Sequence, residues 1–249
     1  MEHDELLRRC EDLARRSEKS GQVTATHFLT PAEQAAVKQW AVWGCESTVL
    51  FHGGSADCER RAAFFLPYYM DETNFDAAEY IRCVHLTAGF GTPEHRDYLG
   101  AVLGLGIERA WVGDIRIIGE EAWVFCLPSV ESHLLSSLDK VGRYGVKTAS
   151  CPLSSVPIPE RKVKRVSFTV KSARLDAVAA GMFHLSRTET AKLIGMGLAT
   201  VNYLPCERCD AVIKAGDVIS LRGHGKGTVS PTGAVSRKDR IFMEAEIYI

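Results

Sequence analysis

Ser172-Ala173-Arg174-Leu175-Asp176, Leu185-Ser186-Arg187-Thr188-Glu189, Gly197, Val201-Asn202, Gly216-Asp217 and Arg222-Gly223-His224-Gly225-Lys226 form the stretch whose reading decides the fold. Ser186 followed by Glu189 fits a capping box, which predicts a helix that starts there and ends at Gly197 in a left-handed cap. A short helix before it, from about Ser172 to Met182, places Leu175, Val178, Ala179 and Met182 on one apolar face. Ala199 to Asn202 and Val218 to Leu221 are β-prone runs bounded by the turn residues Asn202 and Gly216-Asp217. The expected unit is two helices on a small sheet.

Arg187 falls at the first helical position, where the positive end of the helix dipole disfavours a cation by roughly a few tenths of a kcal/mol. Two readings account for it. The helix start, with Ser186, Thr188 and free backbone N–H groups, attracts anions, and a guanidinium forks onto phosphate oxygens. Alternatively Arg187 pairs with Asp176 or Glu189 and only stabilises the fold.

Arg174-Leu175-Asp176, Ser186-Arg187, Ile194, Gly197, Val201-Asn202, Gly216-Asp217 and Ile219 together resemble the RNA-binding module named after ribosomal small-subunit protein four, the S-four-type domain. The resemblance implies a helical face docked on structured RNA, with Arg174, Arg187, Lys192 and Asn202 on or beside it. The candidate RNA contacts are Lys171, Arg174, Ser186, Arg187, Thr188, Lys192, Asn202, Arg222 and Lys226.

The charge distribution agrees. The whole chain carries −1, but residues 160–249 hold 15 Lys/Arg against 9 Asp/Glu, and residues 1–159 hold 15 against 22. An acidic body with a basic C-terminal part suits a targeted polyanion site. At 249 residues and 46% hydrophobic, the chain has material for one large core or two to three small ones. Its eight cysteines have no regular framework, and several sit in apolar runs such as Val124-Phe125-Cys126-Leu127, which reads as buried reduced thiols. Cys206-Glu207-Arg208-Cys209 needs two further ligands to make a structural zinc site; His224 could contribute one, but no fourth is seen, so no metal or cofactor is expected and the pair reads as a turn carrying two thiols. The acidic start Met1-Glu2-His3-Asp4-Glu5 has no secretory apolar region, and no run is long enough to cross a bilayer, so a soluble cytoplasmic protein is expected.

Along the first 72 residues the pattern is mixed helix and strand. Leu6, Cys10, Leu13 and Ala14 recur at helical spacing up to Gly21, and Thr30-Pro31-Ala32-Glu33 opens a helix to about Trp43 with Val37 and Trp40 inward. Thr48 to Phe51 and Ala62 to Leu66 read as strands. His52-Gly53-Gly54-Ser55-Ala56-Asp57 between them lacks the Lys-Ser/Thr ending of a phosphate loop and reads as a turn forced by two glycines.

Residues 73–152 follow a different order: strand (Ile81–Leu86), helix (Pro93–Leu105), strand (Asp114–Ile118), strand (Ala122–Leu127), helix (Val130–Tyr144) and strand (Val146–Cys151), with Gly119-Glu120-Glu121 as the central hairpin. This β-α-β-β-α-β plan is the ferredoxin-like arrangement shared with RNA-recognition domains. Val112-Gly113-Asp114-Ile115-Arg116-Ile117-Ile118, taken as the strand equivalent to their base-stacking strand, has no aromatics, so no base stacking is expected. Pro152, Pro157 and Pro159 with Ser154 and Ser155 mark a linker over 153–165. Its Arg161, Lys162, Lys164 and Arg165 either touch RNA backbone or keep the linker solvated. The C-terminal domain spans 166–249, with a polar loop from Ser230 to Arg240 carrying Arg237, Lys238 and Arg240, then a closing strand Phe242–Ile249. The whole chain is α+β.

Thr30-Pro31-Ala32-Glu33-Gln34, His52-Gly53-Gly54, Glu94-His95-Arg96-Asp97-Tyr98-Leu99-Gly100-Ala101, Gly113-Asp114-Ile115 and the C-terminal module, in this order, resemble the bacterial YlmH family of RNA-binding proteins. That family is associated with cell-division gene clusters and with ribosome-associated quality control on large subunits that still hold peptidyl-tRNA. The resemblance implies a non-catalytic factor that binds rRNA, and tRNA with it, on the large ribosomal subunit. Glu94-His95-Arg96 reads as an acid–base pair or as a structural cap, with no nucleophile or metal set beside it.

Two rival classes stand. In an RNA-modifying enzyme the same module would capture substrate, but Arg174-Leu175-Asp176 lies inside the module rather than in a pseudouridine synthase domain. Gly100-Ala101-Val102-Leu103-Gly104-Leu105-Gly106 likewise falls on a helix, where a methyltransferase loop does not belong. A division scaffold would bind protein instead. A monomer is expected, with no heptad seam in the sequence.

Overall fold

The computed structural model describes residues 2–45, 47–89, 91–159, 162–235 and 240–248. Arg161, Arg237 and Lys238 lie outside the described residues. The chain divides into two compact units, residues 1–159 and 160–249.

The first unit opens with α1 (Glu2–Ser20), which buries Cys10, Ala14 and Ser17 and ends at Gly21 with φ +64°. Next come β1 (Thr24–Ala25), α2 (Pro31–Gly44), β2 (Thr48–His52) and β3 (Ala62–Leu66), the strands pairing in the order β1-β3-β2. At the start of α2 the Thr30 side chain accepts from the Glu33 N–H while Glu33 reaches back to the Thr30 N–H at 2.6 Å, so the expected capping box is formed. The turn after β2 requires its glycines: a Cβ on Gly53 would lie 2.5 Å from the Arg60 carbonyl, and Gly54 (φ +99°) abuts the Phe125 ring.

β4 (Arg82–Ala88), α3 (His95–Gly104), β5 (Val112–Ile118), β6 (Glu121–Cys126), α4 (Pro128–Ser137), β7 (Lys140–Val141) and β8 (Tyr144–Cys151) complete this unit. The strands form one sheet in the order β5-β6-β4-β8-β7, every neighbouring pair antiparallel. Strand alternation sends Val84, Leu86 and Val124 to one face, against Tyr98 and Val102 of α3 and Val130 and Leu134 of α4. The other face carries Cys83, Trp123 and Phe125, which pack with Phe28, Phe64 and Leu66 from the first third of the chain. Each phenylalanine buried there contributes about 2–3 kcal/mol of transfer free energy. The expected domain border near residue 72 therefore lies within one compact unit with a shared core.

Four details of this unit and its end depart from the sequence reading. The helix expected to reach Tyr144 stops at Ser137, because Gly142 (φ +58°) closes a hairpin between β7 and β8. The helix expected from Pro93 begins at His95, with Glu94 as its N-cap. Val112–Ile118 is an edge strand of the sheet, not a middle one, and the middle strands β4 and β6 do carry aromatic rings: His85, Trp123 and Phe125. Trp123 and Phe125 are buried, so burial rather than composition keeps them from solvent. In the expected linker, Leu153–Ser155 forms a 3-10 turn and Val156 is buried in the core with Trp123.

The second unit contains β9 (Val163–Val170), α5 (Leu175–Phe183), α6 (Arg187–Gly195), β10 (Ala199–Val201), β11 (Leu204–Pro205), β12 (Val218–Leu221), β13 (Gly225–Val235) and β14 (Ile241–Tyr248). They build a six-stranded antiparallel sheet in the order β11-β10-β12-β13-β14-β9. One face packs under the helices through Val178, Met182, Ile194, Ile219, Leu221, Met243 and Ala245. The sheet is larger than expected for two reasons. Residues 163–165, read as linker, belong to β9, and residues 230–235, read as a polar loop, extend β13. The first helix begins at Leu175 rather than Ser172, because Arg174 still has extended backbone and bridges to Val212.

Candidate nucleic-acid interface

Asp176 organises the N-terminal ends of the two helices. Its carboxylate is 8% exposed and accepts from Arg174 Nε at 3.1 Å and from Arg187 Nη2 at 2.5 Å. Burial alone would raise its pKa; the hydrogen bonds and charges of Arg187 and Arg174 outweigh burial and hold it below the usual carboxylate range. The pairing reading for Arg187 is thus realised with Asp176, and 59% of the Arg187 side chain remains in water. Ser186 caps α6 by accepting from the Glu189 N–H at 3.1 Å, the forward half of the expected box. Thr188 and Lys192 are exposed on α6, and Lys171 is exposed just after β9.

The N–H groups at the start of α5 are already used. Leu175 N–H donates to the Ala211 carbonyl at 2.8 Å and Asp176 N–H to the Cys209 carbonyl at 3.1 Å. The Cys206–Cys209 segment therefore serves the fold through its backbone, with Cys209 Sγ 3.7 Å from the Ala191 carbonyl of α6. Among the described residues no group of three or more His, Cys, Asp or Glu side chains is placed to hold a metal ion. No described helix is long and apolar enough to cross a membrane.

The remaining candidates sit elsewhere. Asn202 occupies the turn between β10 and β11 with φ +50°; its amide donates to Asp217 Oδ1 at 2.9 Å and accepts from the Val218 N–H at 3.0 Å. These bonds make it a turn lock. Arg222 is exposed in the turn between β12 and β13. Lys226 alternates with buried Gly227 and Val229 on β13, which places it on the sheet face turned away from the helices. Its Nζ lies 4.6 Å from the Tyr203 ring centre and 5.6 Å from that of Tyr248. The structure thus brings Arg174 and Arg187 onto Asp176, with Ser186 next to Arg187 as the cap of α6, and puts Lys226 on a second face. Tyr203 and Tyr248 escaped the sequence reading; the signal that marks Tyr203 is a bulky residue following Asn202 in a two-residue hairpin turn.

In the first unit, Glu94-His95-Arg96 is a helix start: Asp97 accepts from the Glu94 N–H at 2.9 Å and Arg96 pairs with Glu94 at 3.1 Å on the surface. His95 lines a cavity of about 380 Å³ with Asp57, Glu59, Arg109, Asp114 and Arg116. The aspartates there hold structure. Asp57 pairs with Arg116 at 2.5 Å, and Asp114 accepts from the Glu59 and Arg60 N–H groups at 2.6 and 3.0 Å. This geometry favours the structural reading of the motif.

The family model described as "Putative RNA-binding domain in YlmH" matches residues 74–155, the part built on β4 to β8. The chain is 30% identical over 218 residues to "Ribosome-associated protein quality control protein P2" of Bacillus subtilis (strain 168), covering 86% of this chain and 83% of that protein. Among solved structures, "Cell division protein ylmH from Streptococcus pneumoniae" shares the fold with a TM-score of 0.51 and 23% identity, over 62% of this chain and 93% of that one. With a relative at this identity matched over most of both lengths, the chain belongs to the YlmH family.

Proposed function

We propose that this protein is a non-catalytic, ribosome-associated RNA-binding factor whose C-terminal unit is an S-four-type module anchored on structured rRNA. It acts in the cytoplasm on large subunits that hold peptidyl-tRNA. The name of the Bacillus subtilis relative and the family model over residues 74–155 support an RNA-binding role on the ribosome. The strand order β5-β6-β4-β8-β7 with both helices on one face supports reading that part as ferredoxin-like.

One observation carries the reading. Asp176 fixes the guanidinium groups of Arg174 and Arg187 beside the start of α6 while leaving both partly in water, inside the C-terminal unit, where residues 160–249 hold 15 Lys/Arg against 9 Asp/Glu. A guanidinium held in place loses less freedom on meeting a phosphate than a mobile one.

The test is co-sedimentation with large ribosomal subunits. Arg187→Glu is a poor variant, because it would set a second carboxylate against Asp176. Arg187→Gln keeps a donor for Asp176 and removes the charge; combined with Lys192→Glu, it is expected to abolish co-sedimentation, while Arg187→Gln alone lowers the thermal midpoint modestly and the double variant stays folded by circular dichroism at the assay temperature. Normal co-sedimentation of the double variant would overturn the assignment.

A further inference from the structure

We infer that the outer face of the C-terminal sheet holds a stacking site for one unpaired nucleotide of the bound RNA, built from Tyr203, Tyr248 and Lys226. This site rests on the RNA-binding reading above and adds a ligand class and a second surface to it.

The first sign is a backbone placed against its preference. Asn202 and Tyr203 have φ +50° and +68° and form the two-residue turn that joins Val201 of β10 to Leu204 of β11. A turn with two left-handed residues favours Asn followed by Gly, and an aromatic residue at its second position stores strain. Glycine would close the hairpin more cheaply. A tyrosine held there is explained by what its ring does.

The ring meets Lys226, whose Nζ lies 4.6 Å from it and 5.6 Å from the ring of Tyr248. Thr228 Oγ1 and the Tyr248 hydroxyl are 2.6 Å apart, which fixes the second ring in turn. Both tyrosines are half-buried. Two positioned rings beside an ammonium group match what unpaired nucleic acid needs: a π-face for the base and a cation for the phosphate.

The surrounding charge permits this occupant. Exposed Arg222 and His224 precede Lys226 in the β12–β13 turn. Glu246, on the same face of β14, is paired with Arg165 at 3.0 Å, and exposed Glu244 borders the patch further along the strand. These carboxylates limit the site to about one nucleotide rather than a long track.

The experiment measures binding of the full-length protein to a fluorescein-labelled RNA hairpin, blunt or with a short overhang of unpaired adenosines, by fluorescence anisotropy at low salt. The wild type is expected to bind the overhang RNA about tenfold more tightly than the blunt one. Tyr203→Gly and Tyr248→Leu are expected to lose that gain. Because glycine suits the left-handed turn, Tyr203→Gly should match or exceed the wild-type thermal midpoint. Equal binding of the two RNAs by the wild type, or a gain that survives in Tyr203→Gly, overturns the stacking site and leaves RNA binding standing. A Tyr203→Gly protein that instead changes its mass in solution marks the face as a contact between copies and also overturns it. If the wild type binds neither RNA, the RNA-binding reading fails and the site falls with it.

Discussion

Arg187 Nη2 lies 2.5 Å from Asp176 Oδ2, which ties the first turn of α6 to the first turn of α5. The carboxylate is buried and the guanidinium is half in water, so the bond is neither a surface pair nor a sealed one. Removing the acid takes away the carboxylate that both Arg174 and Arg187 meet. Asp176→Ala is expected to destabilise the C-terminal unit by about 1–3 kcal/mol, less than a fully buried pair because both arginines are partly solvated. Urea denaturation of the variant against wild type checks this.

The same bond sets a pH dependence. Asp176 has a folded pKa below its unfolded value, so its contribution is fully present above the usual carboxylate range near pH 4 and is lost as pH falls through the lower folded value. The stability gap between wild type and Asp176→Asn should therefore narrow as pH is lowered below about 4. Thermal midpoints from neutral pH downward measure the gap, and a constant gap would contradict the assignment.

Gly181 lies on α5 where a Cβ would enter the Phe168 ring of β9. Alanine is the better helix former by about 1 kcal/mol, but overpacking costs about 1–3 kcal/mol, and the ring has the β-sheet behind it. Gly181→Ala is expected to destabilise the C-terminal unit. Gly100, inside α3 with open space around it, should show the opposite sign, with a gain of about 0.5–1 kcal/mol for Gly100→Ala.

Arg116 is almost wholly buried: it donates to Asp57 Oδ1 at 2.5 Å and to the Pro157 carbonyl at 2.6 Å, with its guanidinium 5.4 Å from the Phe125 ring centre. Arg116→Met fills much of the volume but takes from Asp57 its cationic partner, leaving the Ser55 hydroxyl at 2.5 Å as a donor. A loss of about 3 kcal/mol is expected in the first unit, read by chemical denaturation.

Burial pushes the thiols of Cys58 and Cys126 up to about 12 and that of Cys10 up to about 11. Alkylation at pH 8 requires thiolate, so these three should resist iodoacetamide in the native protein while the partly exposed Cys206 and Cys209 react first. Mass spectrometry of time points, with a denatured control, reads the order.

Local chemistry was the legible part of this chain. The Thr30–Glu33 box, the glycine that ends α1 and the Asn202 turn each depend on residues a few positions apart, and each occurs where it was expected. What stayed hidden depends on partners far along the chain. Nothing near Val112–Ile118 says that it is an edge strand, since its neighbour order comes from sheet assembly. Nothing near Trp123 says that Val156 will cover it. The choice between phosphate and Asp176 for Arg187 was open for the same reason, because eleven positions separate the two residues and two helix ends must meet to join them. Lys226 was found by charge, and the side of the sheet it occupies by register alone.

The sheet of β4 to β8 has grease on both of its sides. A fragment cut to begin at residue 74 would carry Phe125 and Cys83 into water without Phe28, Phe64 and Leu66 to cover them. Such a piece would clump rather than report on nucleic acid, so the matched segment is not portable. Its biochemistry has to be asked of a chain that keeps its first seventy or so residues.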